Sequence, residues 1–265
     1  MDNSMATPAT GPTVPPLEES LGQLKAIMTR YRGAKSHWVS DLILYNFAMD
    51  VREQSEAILA LSGTVGRRAA YANARAALES ARDLAFLTTD EGQYDFRGAR
   101  ARAFEVFENA ELERRAPSVP ESSGPPPAPA PPEDILIQDA DDWEDAGPGM
   151  GTVMRRALED AQRDKDLLRR HWSGLKHSEL YEATTAHWGG DPKMLEALEA
   201  LLPISAHPRP RTGLRTLELQ GDTFLLGDRD VDDEGPPSIA SLACLMAVEA
   251  LKRRATFFQV EGSTK

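Results

Sequence analysis

SHWVSDLILYNFAMDVREQSEAILALSG, residues 36–63, is the stretch whose reading decides the fold. Ser36 suits an N-cap and Gly63 a C-cap. Between them run two adjacent apolar stripes at helical spacing. One is Trp38, Leu42, Tyr45 and Met49; the other is Val39, Ile43, Phe47 and Val51. Two such stripes make the wide apolar face expected of a central helix.

The neighbouring segments repeat the helical pattern. RRAAYANARAALESARDLAFL follows Gly66, with a narrow seam of Tyr71, Ala74, Leu78, Ala81 and Ala85, widened by Leu84 and Leu87. Its small residues suit close helix packing. Upstream, Leu17, Leu21, Leu24 and Met28 mark a helix over 17–31. Downstream, 96–115 reads as a half-exposed helix with Phe104 and Phe107 among dense mixed charge.

The second half reads the same way. A helix over 152–171 carries opposite charges at i,i+4: Arg155–Glu159, Arg156–Asp160, Glu159–Arg163 and Asp166–Arg170. Gly174 ends it. A short helix then follows a Ser178 cap, and another follows an Asp191 cap with Pro192 at its first position. Pro203 predicts an exit from helical geometry. LRTLELQGDTFLLGDRD reads as a hairpin around Gln220-Gly221-Asp222. A buried helix begins at a Ser238 cap after Pro236-Pro237 and runs to about Phe258. The expected fold class is all-α: a bundle of about six or seven helices, with one small hairpin.

Between the halves, 116–149 is first Pro-rich and then acidic, with eight prolines from Pro117 to Pro132. That density excludes a helix or central strand and predicts a semi-rigid linker. Residues 1–16 read as a disordered tail. Neither half, 17–115 or 150–265, has an obviously complete core, so one domain built from both is favoured.

Thirty basic residues against 42 acidic give a net charge of −12, which opposes avid nucleic-acid or anionic-membrane binding. The single cysteine, Cys244, excludes an internal disulfide or a Cys-rich zinc site. The longest uncharged run, Ser238–Val248, is too short to span a bilayer. With no secretory pattern, a cytoplasmic location without membrane contact is expected.

Candidate chemistry concentrates in 169–215, which holds His171, His177, His187 and His207 with Trp172 and Trp188. Gathered histidines suit a metal. Yet no HExxH pattern supports that, and Gly174, Gly189-Gly190 and Pro203 divide them among separate elements. No metal or cofactor is therefore expected. GPGMGT, residues 147–152, lacks a preceding strand and reads as linker rather than a phosphate loop. Arg209, Arg211 and Arg215, with Arg169, Arg170 and Lys176, offer a basic patch for phosphate groups. Arg75 and Glu79, four apart beside the seam, read as a structural ion pair or a polar site within the bundle.

The order of RAALESARDLAFL, then HWSGLKHSELYEATTAHWGG and LLPISAHP, resembles the bacterial helical family called domain of unknown function 5677. The resemblance spans roughly 42–207. It implies an all-helical fold, with family positions matched by Arg75, Glu79, Trp172 (with Ser173 and Gly174), Ser205 and His207; of these Arg75, Glu79, Trp172 and Ser205 are the candidate binding residues, with Arg209 and Arg211. The chain departs from the family pattern in lacking tyrosines before Ser205 and in carrying Pro203. It is also similar in shape to HEPN helical domains, many of them ribonucleases of toxin and defence systems. Those carry an Arg followed four to six residues later by a His; here Arg170 and His177 enclose six residues. The resemblance implies Arg170 as phosphate stabiliser and His177 or His207 as proton carrier.

Three function classes follow. The favoured one is a non-catalytic binding or regulatory module with a protein partner or a second copy, in a defence or toxin-related setting. The alternatives are a metal-independent ribonuclease acting on RNA and a histidine-ligated metal protein.

Overall fold

The computed structural model describes residues 14–31, 39–61, 67–115, 149–166, 171–188, 190–206, 217–220, 223–226 and 235–255. The chain is all-α, with eight α-helices among the described residues rather than six or seven. They are α1 (Leu17–Tyr31), α2 (Val39–Leu61), α3 (Arg67–Leu87), α4 (Tyr94–Arg115), α5 (Met150–Asp166), α6 (His177–Trp188), α7 (Pro192–Ala206) and α8 (Gly235–Ala255). A short 3-10 turn, Glu91–Gln93, joins α3 to α4. Strands β1 (Leu217–Gln220) and β2 (Thr223–Leu226) pair antiparallel, Leu217 opposite Leu226 and Gln220 opposite Thr223.

The central helix is α3, not α2. Its neighbours are α2, α4, α6, α7 and α8. Every residue from Ala81 to Leu87 is buried, because neighbouring helices and the loop around Trp172 cover its C-terminal half. The alanine seam permits this, because Ala74, Ala77, Ala81 and Ala85 hold no bulk that would keep a neighbour away. In α2 the buried side is Val39, Ile43, Leu44, Ala48, Val51, Ser55 and Ile58. Of the other stripe, Leu42 is 54% exposed while Tyr45 and Met49 sit half-buried at the rim. The wide apolar face is therefore narrower than the pattern suggests.

Helix α8 closes the bundle against α1, α2 and α3. Its nearly continuous apolar half, including Ala240, Ala243, Cys244, Ala247 and Leu251, is buried. Ser20 and Ser241 share a 2.7 Å hydrogen bond between α1 and α8. Asp41 of α2 accepts from the Tyr94 hydroxyl at 2.8 Å and from Arg254 Nε at 3.1 Å. That junction ties α2, α4 and α8 together. One core cluster takes residues from both sides of the 116–148 gap, Leu17 through Ala101 and Met154 through Leu251.

Several boundaries differ from the sequence expectation for local reasons. Helix α4 hides more than its sparse large apolar residues imply, because Ala99, Ala101, Ala103, Val106, Phe107 and even Arg100 face inward. In α5, Asp160 serves Arg163 at 2.6 Å and Arg100 at 3.5 Å rather than the expected Arg156. His171 lies in a bend outside α5, and 167–170 fall outside the described residues. Ser178 is inside α6. The cap position belongs to Lys176, whose backbone N–H donates to Glu179 Oε2 at 2.9 Å, half of a capping box. Asp191 does cap α7, accepting from the Lys193 N–H at 2.9 Å. Pro203 does not stop α7, which continues to Ala206. Packing of α7 on α3 outweighs the cost, about 3 kcal/mol, of an interior proline. Pro236 and Pro237 form the first turn of α8, where missing N–H groups cost no helical bond, so Ser238 is not its cap.

Candidate functional site

The site is built on two adjacent charged residues in the most buried part of α3. Arg82 and Asp83 are 3% and 9% exposed. Consecutive helical residues point about 100° apart, so the pair reaches different neighbours. Arg82 turns towards α7, where Nη1 donates to both oxygens of Glu199 at 2.8 Å. Tyr181 of α6 donates its hydroxyl to Glu199 Oε2 at 2.6 Å. Burial, then that hydrogen bond, raises the Tyr181 pKa and keeps the hydroxyl a donor. Arg82 Nε and Nη2 also reach Asp83 Oδ1, both at 3.1 Å.

Asp83 in turn holds the loop that follows α5. Trp172 Nε1 donates to Asp83 Oδ2 at 2.9 Å, and His171 Nε2 lies 3.2 Å from Oδ1. Burial alone would raise the Asp83 pKa. The His171 hydrogen bond, the Arg82 charge and the Trp172 N–H overcome that and lower it, so the carboxylate is ionised. A buried ion set of this kind fixes an arrangement more than it adds stability.

The same loop is latched from the other side. Arg100 of α4 donates from Nε to the Trp172 carbonyl at 2.5 Å and from Nη2 to Asp164 of α5. Gly174 has φ +71, and a Cβ there would lie 2.4 Å from Arg100 Nη2. Only glycine both adopts that backbone and leaves room for the latch. The Trp172 indole packs on Phe47 and Phe86, with ring centroids 6.0 and 5.5 Å away.

Above this floor opens a cleft of 370 Å³ between α3, α4 and the loop. Phe104 and Trp172 supply apolar wall; Glu79, Asp83, Glu108, Arg82, His171 and His177 supply polar groups. Three carboxylates against one guanidinium make it acidic. His177, the exposed first residue of α6, lies 6.3 Å from the His171 ring and makes no hydrogen bond or ion pair among the described residues.

The expected residues divide in their placement. Glu79, Trp172 and His177 meet in the cleft. Arg75 pairs with Glu79 at 2.7 Å, both side chains more than a third exposed, so this is a surface pair one turn before Arg82. Arg170, His207, Arg209 and Arg211 lie outside the described residues, as does the linker over 116–148. Ser205 is in the last turn of α7, and its side chain lies outside them too. Sequence reasoning missed Arg82, Asp83, Arg100, Asp164, Tyr181 and Glu199. One signal was available: Arg82-Asp83 interrupts an otherwise apolar run, between Ala81 and Leu84.

Among the described residues no three His, Cys, Asp or Glu side chains are grouped to hold a metal ion. No described helix is long and apolar enough to cross a membrane. No family model, curated protein or solved structure matches the chain.

Proposed function

We propose that the chain is a cytoplasmic binding module whose α3–α4 cleft receives a group from a protein partner or from a second copy. One observation carries this reading. The cleft floor is locked before any ligand arrives, because Arg82, Asp83 and His171 spend their polar atoms on Glu199, Trp172, Ser173 and one another. A preformed concave site with apolar wall and a few fixed polar groups is the usual form of a binding pocket. The excess of carboxylate over guanidinium opposes a phosphate ligand.

A photoreactive amino acid placed at Glu108, on the rim, tests this in cells. The expected result is a discrete cross-linked species, lost when Phe104→Arg fills the cleft. Twice the chain mass identifies a second copy; another mass identifies a partner. Absence of any cross-link sinks the reading.

A ribonuclease resembling HEPN domains draws support from a different observation. The exposed His177 ring has no hydrogen bond among the described residues and is open to carry a proton in the cleft. RNA incubation with wild type, His177→Ala and His207→Ala decides. Cleavage lost with His177→Ala supports it, and cleavage surviving both substitutions removes it.

A further inference from the structure

The loop that forms the cleft floor also holds a serine whose hydroxyl lies 2.7 Å from a histidine ring nitrogen. The Ser173 backbone N–H can only donate, and it donates to His171 Nδ1 at 3.2 Å. That nitrogen therefore carries no proton. The 2.7 Å contact between Ser173 Oγ and the same nitrogen is then O–H to N, with serine the donor. Leu175 N–H donates to Ser173 Oγ at 3.2 Å, which stabilises negative charge there. Nε2 lies between Asp83 Oδ1 at 3.2 Å and Arg82 Nη2 at 3.4 Å, and the ring proton belongs there, facing the nearer carboxylate, the only one of the two that can accept it. Hydroxyl, imidazole and oriented carboxylate stand in line, the arrangement that activates a serine.

We propose that Ser173 is a nucleophile that captures the acyl group of an activated carboxylic ester or thioester. This goes beyond reversible binding and rests on the hydroxyl's surroundings, not on the identity of the cleft's partner. Ser173 Oγ bonds to the acyl carbon and its proton passes to His171 Nδ1. The bond from that carbon to the leaving oxygen or sulfur breaks, and the departing atom takes the proton from Nδ1. Asp83 is a positioning residue that holds the ring and offsets the imidazolium charge. Ser173 itself does not line the cleft, but its neighbours His171 and Trp172 do, and the carboxylates of Glu79 and Glu108 there favour an uncharged or cationic acyl chain.

The loop also limits the reaction. The N–H groups of Ser173, Gly174, Leu175 and Lys176 donate to His171 Nδ1, the His171 carbonyl, Ser173 Oγ and Glu179 respectively. None of these four is left to hold an oxyanion, which slows acylation and hydrolysis alike, so the acyl group is captured only from a good leaving group and then stays on the serine, whose ester leaving group is poor.

Full-length protein treated with p-nitrophenyl acetate provides the test. A burst of nitrophenol equal to the protein concentration is expected, with one acetyl mapped to Ser173 by peptide mass. Ser173→Ala loses the adduct, and His171→Gln slows its formation about 100-fold. An adduct that maps elsewhere, or that forms on wild type no faster than on the urea-unfolded chain, overturns the proposal. Should either substitution unfold the loop, Ser173→Cys gives a second reading at pH 6. Alkylation by iodoacetamide faster than in the unfolded chain supports activation by His171, and an equal rate refutes it. The Glu108 cross-link reports on the cleft's partner alone, so failure of one experiment leaves the other readable.

Discussion

Trp172 donates its indole N–H to Asp83 across 2.9 Å, joining the loop after α5 to the centre of α3. Both groups are buried, so the bond decides where the loop sits. Trp172→Phe keeps most of the packing on Phe47 and Phe86 but leaves one Asp83 oxygen without its donor. The expected loss is about 1–3 kcal/mol, the cost of a buried unsatisfied group. Urea unfolding measures it. A change within about 0.5 kcal/mol would mean that the indole N–H adds little.

Acid unfolding should carry the signature of Asp83. Its folded pKa lies below the ordinary carboxylate value of about 3.9, so the folded state favours the ionised form. That stabilisation is fully present above the unfolded pKa. It shrinks as the pH falls and is gone below the folded pKa. Wild type should therefore lose stability more steeply than Asp83→Asn between about pH 5 and pH 3. Parallel stability curves for the two would contradict the assignment.

Gly174→Ala tests the Arg100 latch. A Cβ at φ +71 is strained, and it would also meet Arg100 Nη2 and Asp164 Oδ2 at 2.4 and 2.5 Å. Backbone strain alone costs about 1–3 kcal/mol. The latch must also give way, so the adduct at Ser173 should form more slowly in this variant. Thermal melting and the acetylation burst give the two readings.

Gly98→Ala tests the crossing of α2 and α4. The added methyl would lie 2.4 Å from the Cα of Ser40, which is backbone and cannot rotate aside. The helices must separate, and a loss of about 1–3 kcal/mol or more follows. Glu79→Gln is the contrast. Its pair with Arg75 is exposed, so less than about 1 kcal/mol is expected. Both changes are read from one set of urea curves.

The helices were legible in the sequence because their information is local. Leu17 to Met28 and Tyr71 to Leu87 announce their faces by spacing alone, and α1 and α3 form over those residues. Spacing cannot say which neighbour covers a face. That is why α2 looked central, and why Leu42 lies in solvent despite its place in an apolar stripe.

The 169–215 stretch was legible as a place but not as a mechanism. Histidine density pointed to it, and the Trp172 loop with His177 does lie at the cleft. The partners that give it chemistry come from elsewhere: Asp83 lies 88 residues from His171, and Glu199 lies 117 from Arg82. A buried charge is tolerated only where opposite charge and hydrogen bonds surround it. The chain by itself determined the helices, the acidic balance and the candidate segment. Tertiary structure alone decided that Arg82 and Asp83 would be buried together, and that the loop bearing Trp172 and Ser173 would be the element to satisfy them.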